Sequence, residues 1–216
     1  MYWLLDFDDT IASGPMTWAL DHAIPRLIAE HRLRYTQSQL DSAVLRAQQR
    51  SNQEFDLLPI VRDFFTEMNW SLELQDRLIN DVLNGYQPEL FPEVSAFFER
   101  LRTAQHQIII VSNNNRAPKL AKMLNIEQQV VGIYTPKMFS DCQPKPQRGL
   151  WDAVIIKHQD IADVGAVMIG DDPWSDGEFA DNCGLECWIV DRLNRYQTLY
   201  KQKSYRWCSS LLDVAI

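Results

Sequence analysis

Two stretches constrain the fold of this chain more than any other feature. They are Gln107–Ser112 (QIIIVS) and Ala166–Gly170 (AVMIG). Both are nearly continuous in apolar, often β-branched residues and are too short for a buried helix. A strand with one wet face alternates apolar and polar residues. A run that is apolar throughout reads as a parallel strand covered on both faces. Three further runs, Tyr2–Phe7, Val130–Tyr134 and Cys187–Val190, read the same way. Helical segments separate the last four runs. Pro92–Ala104 carries Val94, Phe97, Phe98 and Leu101 on one stripe, and Pro118–Leu124 is short. Pro146–His158 carries Leu150, Trp151, Val154 and Ile155, and Ser175–Cys183 ends at Gly184, a C-cap candidate. This alternation predicts an α/β fold, a doubly wound parallel sheet.

Residues 15–88 break the rhythm, because they contain no convincing strand. Leu20, Ile24, Leu27 and Ile28 share a helical face that Pro25 should bend. Thr36 and Gln39 form a capping-box signature ahead of Leu40, Val44 and Leu45. Phe55–Trp70 is apolar and aromatic with an interruption expected at Pro59, and Ser71 is placed to cap a helix carrying Leu74, Leu78, Ile79 and Leu83. These segments predict a bundle of roughly four helices inserted after the first strand. The expected division is a core of residues 1–13 and 89–216 and an inserted domain of residues 14–88. Gly14 and Pro15 suit one hinge and the Gln87–Pro92 stretch the other. Leu211, Leu212 and Val214 suggest a short terminal helix.

A net charge of −8 with no basic stripe argues against nucleic acid and anionic membranes as partners. No apolar stretch approaches the roughly 20 residues of a membrane span. The first apolar run has no basic region before it, as a signal peptide would. The four cysteines, Cys142, Cys183, Cys187 and Cys208, match no zinc or redox spacing, and reduced thiols in a cytoplasmic protein are the expectation.

The chemistry gathers at the ends of the inferred strands. Asp6, Asp8 and Asp9 crowd the end of the first. Ser112 and Asn113 follow the second, and Asp171, Asp172 and Asp176 follow the fourth. Lys145 sits between Pro144 and Pro146, just before a helix. Taken alone, the first acidic triplet could be a solvated turn. In an open α/β sheet, however, these ends converge on one crevice. Carboxylates there could hold a hard divalent cation such as Mg²⁺, Ser112 could donate to an anion, and Lys145 could neutralise it. The implied ligand is a phosphate bridged by Mg²⁺.

Four stretches in this order resemble the motifs of the haloacid dehalogenase superfamily, in its phosphatase branch. They are DFDDT at residues 6–10, VSNN at 111–114, KPQRGLWDAV at 145–154 and IGDDPWSDGEFADNCGL at 169–185. The resemblance covers nearly the whole core and implies strand order 3-2-1-4-5 with a helical cap of the superfamily's first subclass. It implies that Asp6 is a nucleophile forming an aspartyl-phosphate and that Asp8 is the general acid and base. It implies that Lys145 offsets charge and binds phosphate with Thr10, Ser112 and Asn113. Mg²⁺ would be held by Asp6, the Asp8 carbonyl and Asp171. Asp176, or else Asp172, would be the supporting outer acid. Dehalogenases of the superfamily lack an Asp at the position of Asp8, so phosphoryl chemistry is implied. The family's usual Gly after that position is Asp9 here, to which no role is given.

Such a cap favours a small phosphorylated metabolite as substrate. The reading is a Mg²⁺-dependent phosphatase of small phosphomonoesters. Its alternatives are a sugar phosphomutase and a catalytically idle binding or regulatory protein. Within the cap, Arg46 and Arg50 could meet an anionic group or simply line a solvated helix face. Trp18 could line a cavity or pack, and His22 reads as a surface residue or a satisfied one. Cys142 is notable only for its proximity to Lys145. Nothing in the sequence indicates an oligomeric state.

Overall fold

A computed structural model describes residues 1–51, 57–192, 196 and 204–216. The chain divides into two compact units, Met1–Ser13 with Pro88–Ile216, and Gly14–Gln87.

The first unit is an α/β sandwich. Among the described residues its sheet runs β3-β2-β1-β4-β5-β6, all parallel. The strands are β1 (Tyr2–Leu5), β2 (Gln107–Val111), β3 (Gly132–Tyr134), β4 (Ala166–Gly170), β5 (Glu186–Val190) and β6 (Arg206–Cys208). β1 is central, with Leu4 opposite both Ile109 and Met168. Its alternate side chains serve opposite faces. Tyr2 and Leu4 join a buried cluster with Leu150, Val154, Ile161 and Phe179. Trp3 meets the edge of Phe97, with ring centroids 6.1 Å apart. Both faces are thus covered, which is why the central runs are apolar throughout.

The sixth strand has no counterpart among the five apolar runs. β6 is three residues long and starts on the charged Arg206, at the sheet edge where a strand needs no continuous apolar run. The terminal residues Leu211–Asp213 make a single 3₁₀ turn closed by a Ser210/Asp213 capping box.

The ten α-helices described are numbered along the whole chain. The second unit carries α1 (Pro15–Trp18), α2 (Ile24–His31), α3 (Gln37–Ser51), α4 (Leu57–Met68) and α5 (Gln75–Gly85). A π-helical turn, Ala19–Ala23, joins α1 to α2. The Ile24 N–H reaches back five residues to the Ala19 carbonyl immediately before Pro25. The wider turn accommodates a residue that cannot donate, so Pro25 does not end the helical path. Thr36 and Gln39 make the reciprocal capping bonds expected of them, at 3.0 and 3.2 Å. Pro59 lies within α4, whose described residues continue as helix on both sides of it. Phe55 lies outside the described residues. The Ser71 side chain caps a 3₁₀ turn, Leu72–Leu74, that leads into α5. Arg46 pairs with Glu67 at 3.1 Å and Arg50 with Asp63 at 3.8 Å, across α3 and α4. Trp18 packs on His22 and Tyr86, with Gly85 beneath its ring.

The remaining helices return to the first unit. They are α6 (Val94–Thr103), α7 (Ala117–Met123), α8 (Gly149–Lys157), α9 (Ile161–Val164) and α10 (Glu178–Cys183). α8 starts three residues later than Pro146, because turns occupy the proline-flanked Lys145 segment. Helix α10 follows a π-helical turn at Pro173–Gly177 and ends on Gly184 at φ 70°, a left-handed cap that a residue without Cβ adopts at little cost. No described helix is long and apolar enough to cross a membrane. The four cysteines are free.

Candidate active site

The site is built at the C-terminal edge of the sheet in the first unit. Asp6 immediately follows β1, and its N–H donates to the Ile169 carbonyl at 2.8 Å, so the ladder positions it beside β4. The chain then turns back. The N–H groups of Ile11 and Ala12 donate to the Phe7 carbonyl, and Asp9 donates to Ala12 at 2.7 Å. Asp9 has φ 56°, a left-handed conformation that Gly, Asn and Asp adopt more readily than other residues. This explains how Asp can stand where the superfamily usually has Gly.

Lys145 is the hub. Its buried Nζ donates to Asp6 Oδ1 at 2.6 Å and to Asp176 Oδ1 at 2.5 Å. Asn113 fixes its backbone from both sides: Asn113 Oδ1 accepts the Lys145 N–H at 2.8 Å, and Asn113 Nδ2 donates to the Lys145 carbonyl at 3.0 Å. The Asn113 side chain, expected to bind phosphate, is therefore engaged in holding the lysine loop.

The two acids left open for motif four have different surroundings. Carboxylate oxygens of Asp6, Asp171 and Asp176 all lie within 4.8 Å of one another. Asp172 instead caps the following turn, its Oδ1 accepting from the N–H groups of Trp174 and Ser175. Asp176 Oδ2 also accepts the Asp172 N–H at 3.1 Å. This approach is possible because residue 170 is glycine. A Cβ there would stand 2.0 Å from Asp176 Oδ2.

Thr10 and Ser112 flank this cluster in sequence and are both buried. Ser112 Oγ accepts the Asn114 N–H at 3.1 Å. Thr10 Oγ1 is buried with no hydrogen-bond partner among the described residues. A buried orphan hydroxyl is costly unless a ligand satisfies it.

Two residues not singled out in the sequence hold the site. Asn114 donates to both oxygens of Asp8. Arg192, just beyond β5, donates to the Asp9 and Thr10 carbonyls, pairs with Glu93 at 2.8 Å and lies 3.8 Å above the Phe91 ring. Neither carries a local signal. An Asn in a loop and an Arg after a strand are ordinary until the fold brings residues 8 and 114, or 9 and 192, together.

Electrostatics make the cluster suited to a cation. Burial, then the charges of Asp6 and Asp9, push the Asp8 carboxyl up to about 8. Burial pushes Asp176 up to about 7, with Asp6 and Asp172 adding to the rise against the pull of Lys145. Asp171 is raised well above an ordinary carboxyl by burial and then by Asp9, whose charge therefore does bear on the site. Burial opposes the charge on Lys145, but Asp176 and Asp6 outweigh it and raise its pKa. One lysine does not balance so many acids. An orphan hydroxyl and three converging carboxylates fit a hard, oxygen-seeking ion such as Mg²⁺.

A stability effect follows. Each raised carboxyl holds its proton to higher pH in the folded state than in the unfolded one. Its contribution is complete below the unfolded value near 4 and is lost as pH rises through about 7 for Asp176 and about 8 for Asp8. Metal-free protein is therefore expected to unfold at lower denaturant concentration at pH 8 than at pH 5, and millimolar Mg²⁺ to narrow the gap. Denaturant melts with EDTA or Mg²⁺ measure this. Equal midpoints at both pH values in EDTA would contradict the raised carboxyls.

Comparison with known proteins bears on the whole chain. Residues 143–204 match the HAD-hydrolase-like family model. No curated protein matches the sequence. Among solved structures, the magnesium-bound YfnB of Bacillus subtilis is 15% identical, with 98% of this chain and 95% of that chain covered at a TM-score of 0.71. The HAD phosphatase of Thermococcus onnurineus is 19% identical, with 98% and 94% covered at 0.59. A 2-haloacid dehalogenase of Pseudomonas syringae pv. tomato is 16% identical, with 97% and 94% covered at 0.57. At such identities these likenesses speak for the fold and not for a reaction. The sheet order and these likenesses agree on a haloacid dehalogenase-like fold, and the family model matches the C-terminal part of the chain, residues 143–204.

Proposed function

We propose that this protein is a Mg²⁺-dependent phosphatase that hydrolyses a small phosphomonoester through an aspartyl-phosphate. The observation that carries this reading is the Asp6–Lys145–Asp176 arrangement, with Asp171 beside it and a second carboxyl, Asp8, two residues from the first. A dehalogenase needs a nucleophilic carboxylate but no acid to protonate a leaving oxygen. Asp8, raised to about 8, retains a proton at neutral pH and could donate it.

In this reading Asp6 attacks phosphorus and the bond to the leaving oxygen breaks as Asp8 gives that oxygen its proton. Asp8, now ionised, takes a proton from water, which attacks the aspartyl-phosphate and returns Asp6. Lys145 holds the Asp6 carboxylate in place and offsets charge on the phosphoryl oxygens. Thr10 and Ser112 orient the phosphate. Asp6, Asp171 and the Asp8 carbonyl are the groups that would hold Mg²⁺, with Asp176 supporting through Lys145. Bound there, the ion supplies Lewis-acid polarisation and offsets repulsion between a carboxylate and a phosphate dianion.

Purified protein assayed against a panel of small phosphorylated metabolites is expected to release phosphate with Mg²⁺, without any bisphosphate activator, and to fall to background in EDTA. Release that persists in EDTA overturns the metal requirement. Activity that appears only with a bisphosphate activator would identify a mutase, and silence across the panel would favour a binding protein on this fold.

A further inference from the structure

Asp8 faces a demanding task in the reaction proposed above. It must present one oxygen to the leaving group while carrying a proton, then present it again to water. A two-residue separation from Asp6 does not by itself aim that carboxyl. The structure sets an amide against it. Asn114 Nδ2 lies 2.9 Å from Asp8 Oδ2 and 3.2 Å from Oδ1, so one amide spans both oxygens. Asn114 is itself held on two sides. Its N–H donates to Ser112 Oγ at 3.1 Å, and its Oδ1 accepts the Arg116 N–H at 2.9 Å. The second bond uses the amide oxygen, which fixes Nδ2 toward Asp8. The loop after β2 therefore reaches across to the loop after β1, and residues 106 positions apart are joined at the carboxyl that moves the proton.

We infer that Asn114 is a positioning residue for Asp8, setting the plane of its carboxyl for proton delivery to the leaving oxygen. The inference rests on the phosphatase reading. In the step concerned, the Asp6–phosphorus bond forms, the phosphorus–oxygen ester bond breaks, and the Asp8 proton passes to the departing oxygen. An aryl phosphate expels a stable phenolate and needs little of that proton. An alkyl phosphate expels an alkoxide and needs it fully.

The test compares wild type with Asn114→Ala on p-nitrophenyl phosphate and on an alkyl phosphomonoester from the active panel. The expected result is a fall in kcat/KM, which reports phosphoenzyme formation and not the water step shared by both esters, of at least ~10-fold more for the alkyl ester than for the aryl ester. The midpoint of thermal unfolding in EDTA, and its rise on adding Mg²⁺, should stay near wild type. Equal losses of kcat/KM on the two esters, or no loss, overturn the positioning role while leaving the phosphatase reading intact. A wild type that is inactive on p-nitrophenyl phosphate and on every phosphomonoester of the panel overturns the phosphatase reading, and the role with it. If Asn114→Ala melts early, Asn114→Asp supplies the check. It keeps the shape but puts a carboxylate against Asp8, and a selective alkyl-ester loss is again expected; uniform loss counts against the role.

Discussion

Asp6→Asn is expected to lower phosphate release by about 10⁴-fold or more while leaving the protein folded. An amide of the same shape keeps the packing after β1 but offers no nucleophilic oxygen to phosphorus. The fold should tolerate the change because Lys145 keeps its bond to Asp176, and because one carboxylate leaves a site where Asp6 raises the carboxyls of Asp8, Asp171 and Asp176. Two readouts make the result specific. Circular dichroism should match wild type. Transfer of labelled phosphate from substrate to protein, in a form released by hydroxylamine as an acyl phosphate is, should disappear. Asp8→Asn should behave differently, still taking label from an aryl phosphate and then losing it slowly, because water is no longer activated. Asp6→Asn activity within tenfold of wild type would sink the covalent mechanism.

Gly170→Ala tests the tertiary construction of the site without replacing any of its polar side chains. The added Cβ would stand 2.0 Å from Asp176 Oδ2, 2.1 Å from its Cγ and 2.4 Å from its Cβ. A rotation of the carboxylate relieves the first two contacts but not the third, since Cβ is fixed to the backbone. The end of β4 and the turn at Pro173–Gly177 must separate. Asp176 is fully buried and tied to Lys145 and to the Asp172 N–H, so that movement breaks both bonds. The expected cost is about 3 kcal/mol or more, from overpacking and from leaving a buried charge without its partner. For a domain of this size that lowers the melting midpoint by about 6–12 °C. Activity should fall with it, as Lys145 loses one of the two carboxylates that aim it. A midpoint within about 2 °C of wild type would mean that the close approach of Gly170 and Asp176 is not as described.

Much of this could be read along the chain, and the reasons are local. Gln107–Val111 and Ala166–Gly170 announce buried strands because both faces must be apolar, whatever packs on them. The break in that rhythm between residues 15 and 88 announces a separate helical unit. Asp6, Asp8, Ser112, Lys145 and Asp171 stand out because each follows an apolar run or sits between prolines. What escaped was weak in sequence for equally physical reasons. β6 is an edge strand of three residues, and an edge needs little apolar signal. Pro25 looks like a break, but a π-helical turn absorbs it.

At the site the division is sharper. Residue type and order along the chain determined which groups could do phosphoryl chemistry: two carboxyls separated by one residue, a lysine and a hydroxyl, at strand ends that a parallel sheet brings to one edge. Tertiary structure alone decided how they are paired. It set Asp176 beside Lys145 and gave Asp172 to a helical turn, because only the folded turn determines which carboxylate faces inward and which caps N–H groups. It turned Asn113 onto the lysine backbone and Asn114 onto Asp8, although the two amides are adjacent and identical in chemistry. Hydrogen-bond direction depends on angles and distances of a few ångströms between segments 31 to 106 residues apart, and such distances exist only once the sheet has formed.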